Sequence, residues 1–452
     1  MKHTPTLFDT ENGQNPNGEP DEENDSEEAG EFKEIRYVGR IPHDWDVEML
    51  DELTVKVTSG HTPKGGEKAY VDEGIPFIRS QNVRKGRLVV DDVAHITVDQ
   101  HHDMSRSQLQ PEDVLLNITG ASIGRSCVVP EWLEEGNVNQ HVCILRPTDR
   151  IHPKYLSLVL NGNPGQKQVH SFQAGGSREA LNYGQIKSFK IPLPSFKEQR
   201  LIACILNKWD HAIEQVDSLV EKKGDKLHGL RQRLLTGRKR FPECVVSGDM
   251  KEVGIGKIPV DWRQKRLGDL FTWKTEKNED NKIEKVITVG KDEIRDQEEH
   301  FNQSVASDDL SNYRIIEPGD FVYDPMSAYY GALGRYDLEE AGVVSPAYRV
   351  LQLNDGYHSD FVKFLLESHY VQFRIDASSL QNNKSGKRRG LRQDAFASIQ
   401  VHIPPIEEQR RIAQTLGAAE TEIQKLKEKR EALKRQKKGL MQRLLTGTVR
   451  TV

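Results

Sequence analysis

A chain of 452 residues is too long for one ordinary domain and comfortable for two or three. Hydrophobic residues make up 36% and charged residues 29%, and no apolar run approaches the roughly 20 residues of a bilayer span, which excludes a membrane helix. The net charge of −5 hides an asymmetry, because residues 1–31 hold ten carboxylates against one lysine and leave 63 basic against 59 acidic residues elsewhere.

In chain order, residues 1–33 read as a disordered acidic tail with almost no apolar residues to bury. Residues 34–195 alternate short β-like runs with turn signals. Gly74–Arg79, Asp113–Asn117, Arg125–Val129 and Val142–Leu145 are the clearest strands, with a helix near Pro153–Leu160. Residues 196–238 are different. Ile202, Leu206, Trp209, Ile213, Val216, Val220, Lys223, Leu227, Leu230 and Leu234 fall at alternating spacings of four and three, the seam of a coiled coil. Pro194 precedes this helix and Gly237 follows it as a C-cap candidate. After a linker at 239–255, residues 256–405 form a second mixed block, with strands at Val286–Val289, Asp320–Tyr323 and Tyr348–Leu353 and a helical stretch at Ser359–Ile375. The last helix, 406–448, carries the seam Ile412, Leu416, Ala419, Ile423, Leu426, Arg430, Leu433, Lys437, Leu440 and Leu444.

The chain is therefore written twice. Gly39-Arg-Ile-Pro-His-Asp-Trp45 returns as Gly256-Lys-Ile-Pro-Val-Asp-Trp262, Glu198-Gln-Arg200 as Glu408-Gln-Arg410, and Gln232-Arg-Leu-Leu-Thr-Gly237 as Gln442-Arg-Leu-Leu-Thr-Gly447. From Glu198 to Gly237 the copies share 16 identities in 40 gap-free positions. Between these bookends they diverge. Gln110–Val114 matches Glu317–Phe321 at an offset of 207 and Gly124-Arg125 matches Gly334-Arg335 at 210, which places a gain of about three residues near Pro325–Gly331. The fold class is α/β in the α+β sense: two repeated mixed domains, each followed by a long helix. A helix with one apolar stripe needs a partner, and pairing the two repeats gives an antiparallel coiled coil. The basic seam positions Lys223, Arg430 and Lys437 weaken such a coil but help fix its register.

Basic and amide residues collect in corresponding loops of the divergent blocks. Arg79, Ser80, Asn82, Arg84, Lys85 and Arg87 follow a strand, while Thr119, Ser122, Arg125, Ser177 and Arg178 lie in later loops of the first block. In the second block the candidates are Tyr329, Tyr330, Arg335, Lys384, Lys387, Arg388, Arg389 and Arg392. Lysine and arginine neutralise phosphates, and arginine and amides can pair with base edges, so these are the candidate DNA contacts. No phosphate-binding loop of the Gly-x-x-x-x-Gly-Lys-Ser/Thr type occurs. Tyr323-Asp-Pro-Met326 lacks the second proline and aromatic of an adenine methyltransferase motif, and His101-His102-Asp103 has no partners at metal-ligand spacing. No catalytic residues and no metal site are assigned. Cys127, Cys143, Cys204 and Cys244 show no paired spacing, and with no signal-like N-terminus the expected compartment is the cytoplasm.

This organisation resembles the specificity subunits of type I restriction–modification systems. The carriers are Gly-Lys/Arg-Ile-Pro-x-Asp-Trp at 39–45 and 256–262, Ile-Pro-Leu-Pro at 191–194 and Ile-Pro-Pro at 403–405 leading to the two Glu-Gln-Arg triplets, and the two Gln-Arg-Leu-Leu-Thr-Gly endings. The resemblance implies two target-recognition domains, each reading half of a split double-stranded DNA site, with the helices as spacer. It also implies docking of two modification subunits and association with restriction subunits. S-adenosylmethionine, ATP and magnesium would sit on those partners, and this chain would bind none directly. The acidic tail has no counterpart in the family pattern. The alternatives are a specificity subunit of another restriction or methylation-only system, or a stand-alone coiled-coil DNA-binding regulator.

Overall fold

In the computed structural model the described residues are 32–63, 65–173, 180–253, 256–291, 294–297, 309–381 and 390–451, so the acidic tail lies outside them. Two units make up the chain. One joins Met1–Glu214 to Glu431–Val452, and the other is Gln215–Arg430.

The first unit is built on an antiparallel four-stranded sheet in the order Ser126–Val128, Val114–Asn117, Val142–Pro147, Thr54–Ser59. The second repeats that order with Leu333–Arg335, Phe321–Tyr323, Arg349–Leu353 and Phe271–Lys274. One turn starts the central strand in both. The Asp113 carboxylate accepts from the Gln110 N–H (2.8 Å) and Asp320 from the Glu317 N–H (2.9 Å). The residue before each aspartate is left-handed, Gly319 at φ 93° and Glu112, unusually for a non-glycine, at φ 69°. Each buried aspartate is paired, Asp113 with Arg146 at 2.7 Å and Asp320 with Lys274 at 2.9 Å. Burial opposes the charge of Lys274, but its hydrogen bonds to Asp320 and Glu317 prevail and raise its pKa.

The ladders correct two alignments. Val114 pairs with Val128 and Phe321 with Arg335, so Arg335 stands in the place of Val128 and not of Arg125. His358 N–H donates to Gln409 Oε1 as His152 does to Gln199, so the second copy is still four residues short of the 210 offset there. The extra residues therefore come later than Pro325–Gly331. They fall where His369–Gln381, 13 residues, replaces Asn163–Gln173, 11 residues, and the chain onward to Leu391. The single helical stretch expected at Ser359–Ile375 is two helices, Ser359–Leu366 and His369–Gln381. Part of the expected linker is ordered as well, since Met250–Val253 pairs with Gly256–Pro259.

The long helices are Phe196–Leu235 and Ile406–Leu445, 40 residues each. Every seam position from Ile202 to Leu234 and from Ile412 to Leu444 is buried or half-buried, and flanking positions such as Lys208 and Lys425 are exposed. The basic seam residues each meet an acid of the other helix. In the first unit Lys437 pairs with Asp210. In the second, Lys223 pairs with Glu422 at 2.7 Å and Arg430 with Asp217 at 3.1 Å. Partner numbers fall on one helix as they rise on the other, which is antiparallel pairing. Gly224 and Gly417 sit inside these helices with open space where a Cβ would go. Glycine loses more backbone entropy on folding than alanine, so Gly224→Ala and Gly417→Ala should each add about 0.5–1 kcal/mol, read as a shift in the urea midpoint at constant slope.

The three repeated motifs are one joint, made once in each unit. In the second unit Gly237, at φ 67°, ends the helix against the Pro259 ring, where a Cβ would collide. Arg240 then forks onto Glu408 (2.9 and 2.7 Å) and Asp261 (2.9 and 2.8 Å), and Trp262 Nε1 donates to Glu408 at 3.1 Å. In the first unit Gly447, at φ 68°, meets Pro42, and Arg450 forks onto Glu198 (2.8 and 3.0 Å) and Asp44 (3.0 and 2.9 Å). The end of each repeat thus closes on the opening of the other. The glutamine of each Glu-Gln-Arg triplet donates to the carbonyl of Pro194 or Pro404, tying the helix start to its block.

Burial pushes the thiols of Cys127 and Cys143 up to about 12, whereas Cys204 is exposed on the first long helix. Thiolate is the reactive form, so iodoacetamide at pH 8 should modify Cys204 in the native protein and reach Cys127 and Cys143 only on unfolding, read by peptide mass mapping.

Candidate nucleic-acid interface

In the first unit the strands Ile75–Ile78 and Asn137–Val138 run parallel, Phe77 beside Asn137 and Ile78 beside Val138, so their chains leave the sheet at one edge. The two chains stay joined beyond the strands, and two further segments, at Gly60 and at Ile118, are bound to that edge. Asn139 N–H donates to Ile78 O (3.0 Å), Gly60 N–H to Asn139 O (3.2 Å) and Ile118 N–H to His141 O (3.0 Å). Buried Asn117 donates from Nδ2 to Ser80 O (2.9 Å) and Ser122 Oγ (3.0 Å). The result is a rim carrying Thr62, Arg79, Ser80, Thr119, Ser122, Gln140 and His141. Beside it the hairpin Val83–Arg84 with Arg87–Leu88 turns tightly at Gly86 (φ 78°) and presents Arg84, Lys85 and Arg87 to solvent. Arg87 lies 3.9 Å from Glu214, but both side chains are more than half exposed and such a pair is worth little.

Several expected contacts meet here and one does not. Arg79 rests its guanidinium 5.7 Å over the Tyr70 ring. Arg125 is half-buried next to Ser126. Asn82 is turned inward at 3% exposure, accepting from Arg79 N–H (3.0 Å) and donating to Val89 O (2.9 Å), so it holds the loop instead of facing outward. The sequence reading missed Thr62, Gln140 and His141, as well as Tyr183, whose hydroxyl pairs with Ser59 Oγ at 2.6 Å. The run Asn139-Gln-His141 between two strands was the available signal. His101 is a core residue, bonded to Asn137 at 2.6 Å.

The second unit has its own rim. Val286 bridges Val343 in parallel, and after strand Ile287–Val289 the chain reaches Gly290 and Lys291, packed against Gly331. Tyr329 and Tyr330 stack edge to face at 5.0 Å, and Tyr330 is 48% exposed. Together with Arg231, Lys363 and Glu367 they line an open cleft of about 890 Å³. Burial raises the Glu367 carboxyl above its ordinary range, against the lowering effect of Arg231. Arg335, expected to contact DNA, is spent within the fold on Asp337 (2.5 Å), Asp360 (2.7 Å) and Ser359 (2.9 Å). Arg392 is exposed but held by Asp394 at 3.0 and 2.9 Å. Tyr323 is a core aromatic, its ring 4.9 Å from Phe396. Leu181 and Leu391 dock alike, their N–H groups on Ile118 O (2.9 Å) and Pro325 O (2.7 Å). Ser177, Arg178, Lys384, Lys387, Arg388 and Arg389 lie outside the described residues.

Two strand-rich blocks with differing polar rims, each joined to a long helix that pairs with its repeat, define a duplicated recognition protein. The model of the type I restriction modification DNA specificity domain matches residues 42–221 and again 259–435, one match per repeat. The chain belongs to this family, the DNA-specificity subunits of type I restriction–modification systems, and has two recognition domains. It is 24% identical over 442 residues to a Methanocaldococcus jannaschii specificity subunit assigned to the type I restriction enzyme MjaX, covering 91% of this chain and 95% of the relative. To the type I restriction enzyme EcoKI specificity subunit of Escherichia coli K12 it is 21% identical over 420 residues, covering 85% and 84%. The fold is shared with the S subunit of a type-I restriction-modification system from M. genitalium, at a TM-score of 0.52, 14% identity and 89% and 96% coverage. No described helix is long and apolar enough to cross a membrane.

Proposed function

We propose that each block reads one half of a bipartite duplex DNA site, and that the chain docks two modification subunits which methylate adenine using S-adenosylmethionine. Restriction subunits with ATP and magnesium complete the assembly in the cytoplasm, and this chain contributes recognition and no catalysis. The observation that carries the reading is a duplicated scaffold closed by corresponding locks, Arg240 on Glu408 and Asp261, Arg450 on Glu198 and Asp44, that bears two unlike rims. A scaffold present twice suits a target read in two halves, and unlike rims suit unlike half-sites. The test is methylome sequencing of a host expressing the modification subunit with and without this chain. A split motif with methyladenine in both halves, lost with the chain, is the expected result. Methylation unaffected by the chain overturns the reading and leaves a stand-alone DNA-binding regulator in its place.

A further inference from the structure

Most of the rim residues of the first block are neutral, and one of them is held in a single orientation. Gln140 is exposed, yet both ends of its amide are engaged. Its Oε1 accepts from the Thr62 hydroxyl, and its Nε2 lies 3.1 Å from His141 Nε2. An amide nitrogen can only donate, so His141 Nε2 accepts and the ring proton sits on Nδ1. That nitrogen donates to Thr119 Oγ1 at 2.6 Å. Three segments far apart in the chain are thereby locked together, and the relay leaves Gln140 with one free N–H and one free carbonyl lone pair.

The position of this group matters as much as its chemistry. Gln140 emerges from strand Asn137–Val138 beside Arg79, which emerges from the parallel neighbour Ile75–Ile78. The basic hairpin with Arg84, Lys85 and Arg87 follows directly on Arg79. Cations that fit a phosphate backbone therefore flank a pre-oriented amide, the arrangement in which phosphate contacts set the register and one side chain reads a base. A free donor and acceptor on one glutamine amide match the N7 acceptor and N6 amino donor of adenine in the major groove, and no other base edge offers that pair to glutamine.

We propose that Gln140, oriented by Thr62 and by the His141–Thr119 relay, is a specificity-determining residue of the first block and selects an adenine in its half-site. This rests on the reading of the block as a DNA reader. Because the amide is fixed before DNA arrives, little side-chain entropy is lost on binding and the discrimination is correspondingly sharp.

The experiment compares methylomes of a host expressing the modification subunit with the wild-type full-length chain, with Gln140→Ala or with Gln140→Glu. With the wild type, a bipartite motif is expected. Gln140→Ala should lose roughly ten- to hundredfold preference at one A·T pair in one half only, the other half unchanged. Gln140→Glu, which can only accept, should move preference at that pair toward the cytosine amino group. Thermal melting of each purified chain accompanies the comparison, and an exposed position should leave it unaltered. An unchanged motif in both variants, or lost preference at a G·C pair, overturns the assignment while the wild-type bipartite motif keeps the broader reading intact. A wild-type chain that directs no methylation overturns both.

Discussion

Arg240→Ala is expected to cost the second unit about 3–5 kcal/mol, because it strands a buried carboxylate. The Glu408 side chain is 1% exposed and Arg240 itself 9%. Four N–H···O contacts connect the guanidinium to Glu408 and Asp261, and without them Trp262 Nε1 is the one side-chain donor left to the Glu408 carboxylate among the described residues. The hydrogen bond to Glu408 is also the main reason the arginine pKa is raised. Urea unfolding followed by tryptophan fluorescence measures the loss, and a cost below about 1 kcal/mol would refute the account of the joint as a buried lock. Adding Glu408→Leu to Arg240→Ala should recover part of the loss, since an apolar pair replaces an orphaned charge. The twin Arg450→Ala should cost less, because Asp44 is 63% exposed and water can replace the arginine there. Its pH dependence follows from the same contact. The Arg450 hydrogen bond holds the Asp44 carboxyl below its ordinary 3.8, so the folded value is depressed. The contribution is complete above that ordinary value and is lost as pH falls through the folded one.

How legible each part was in the sequence depends on how local its cause is. The long helices were readable because a period of 3.5 is a property of neighbouring residues, and every seam position from Ile202 to Leu444 is indeed withdrawn from full exposure. The joint was half readable. The motifs were visible as repeats, but nothing local says that Arg450 reaches back to Asp44, 406 positions away. The rims were least readable. Thr62 and Gln140 are 78 positions apart and meet because strand Thr54–Ser59 pairs antiparallel with Val142–Pro147, Ser59 beside Cys143. Arg335 shows the converse error. A cation counted in a loop looked free, whereas Asp337 and Asp360 absorb its charge. Its alignment with Arg125 rested on a two-residue match, and ladder register outweighs such a match because a shift along the strand changes the partner of every residue.

The triple variant Arg84→Ala, Lys85→Ala, Arg87→Ala should weaken binding of the chain to any duplex DNA on the order of 10²-fold at about 0.15 M salt. Each phosphate contact contributes about 0.9 to the slope of log affinity against log salt, so the slope should become shallower by about 3. Stability should hardly change. All three side chains are exposed, and the hairpin is anchored by main-chain groups they do not supply, Gly86 N–H on Ser126 O at 2.8 Å and Lys154 Nζ on Gly86 O at 3.2 Å. The sequence preference should also survive, because phosphate contacts carry no base identity. Fluorescence anisotropy with a random and a target duplex over 50–300 mM salt separates the possibilities. Equal loss on both duplexes with a shallower slope identifies the hairpin as a backbone clamp beside the reading rim. A loss confined to the target duplex would make the hairpin itself a base reader, and an unchanged slope would place the DNA on another face of the block.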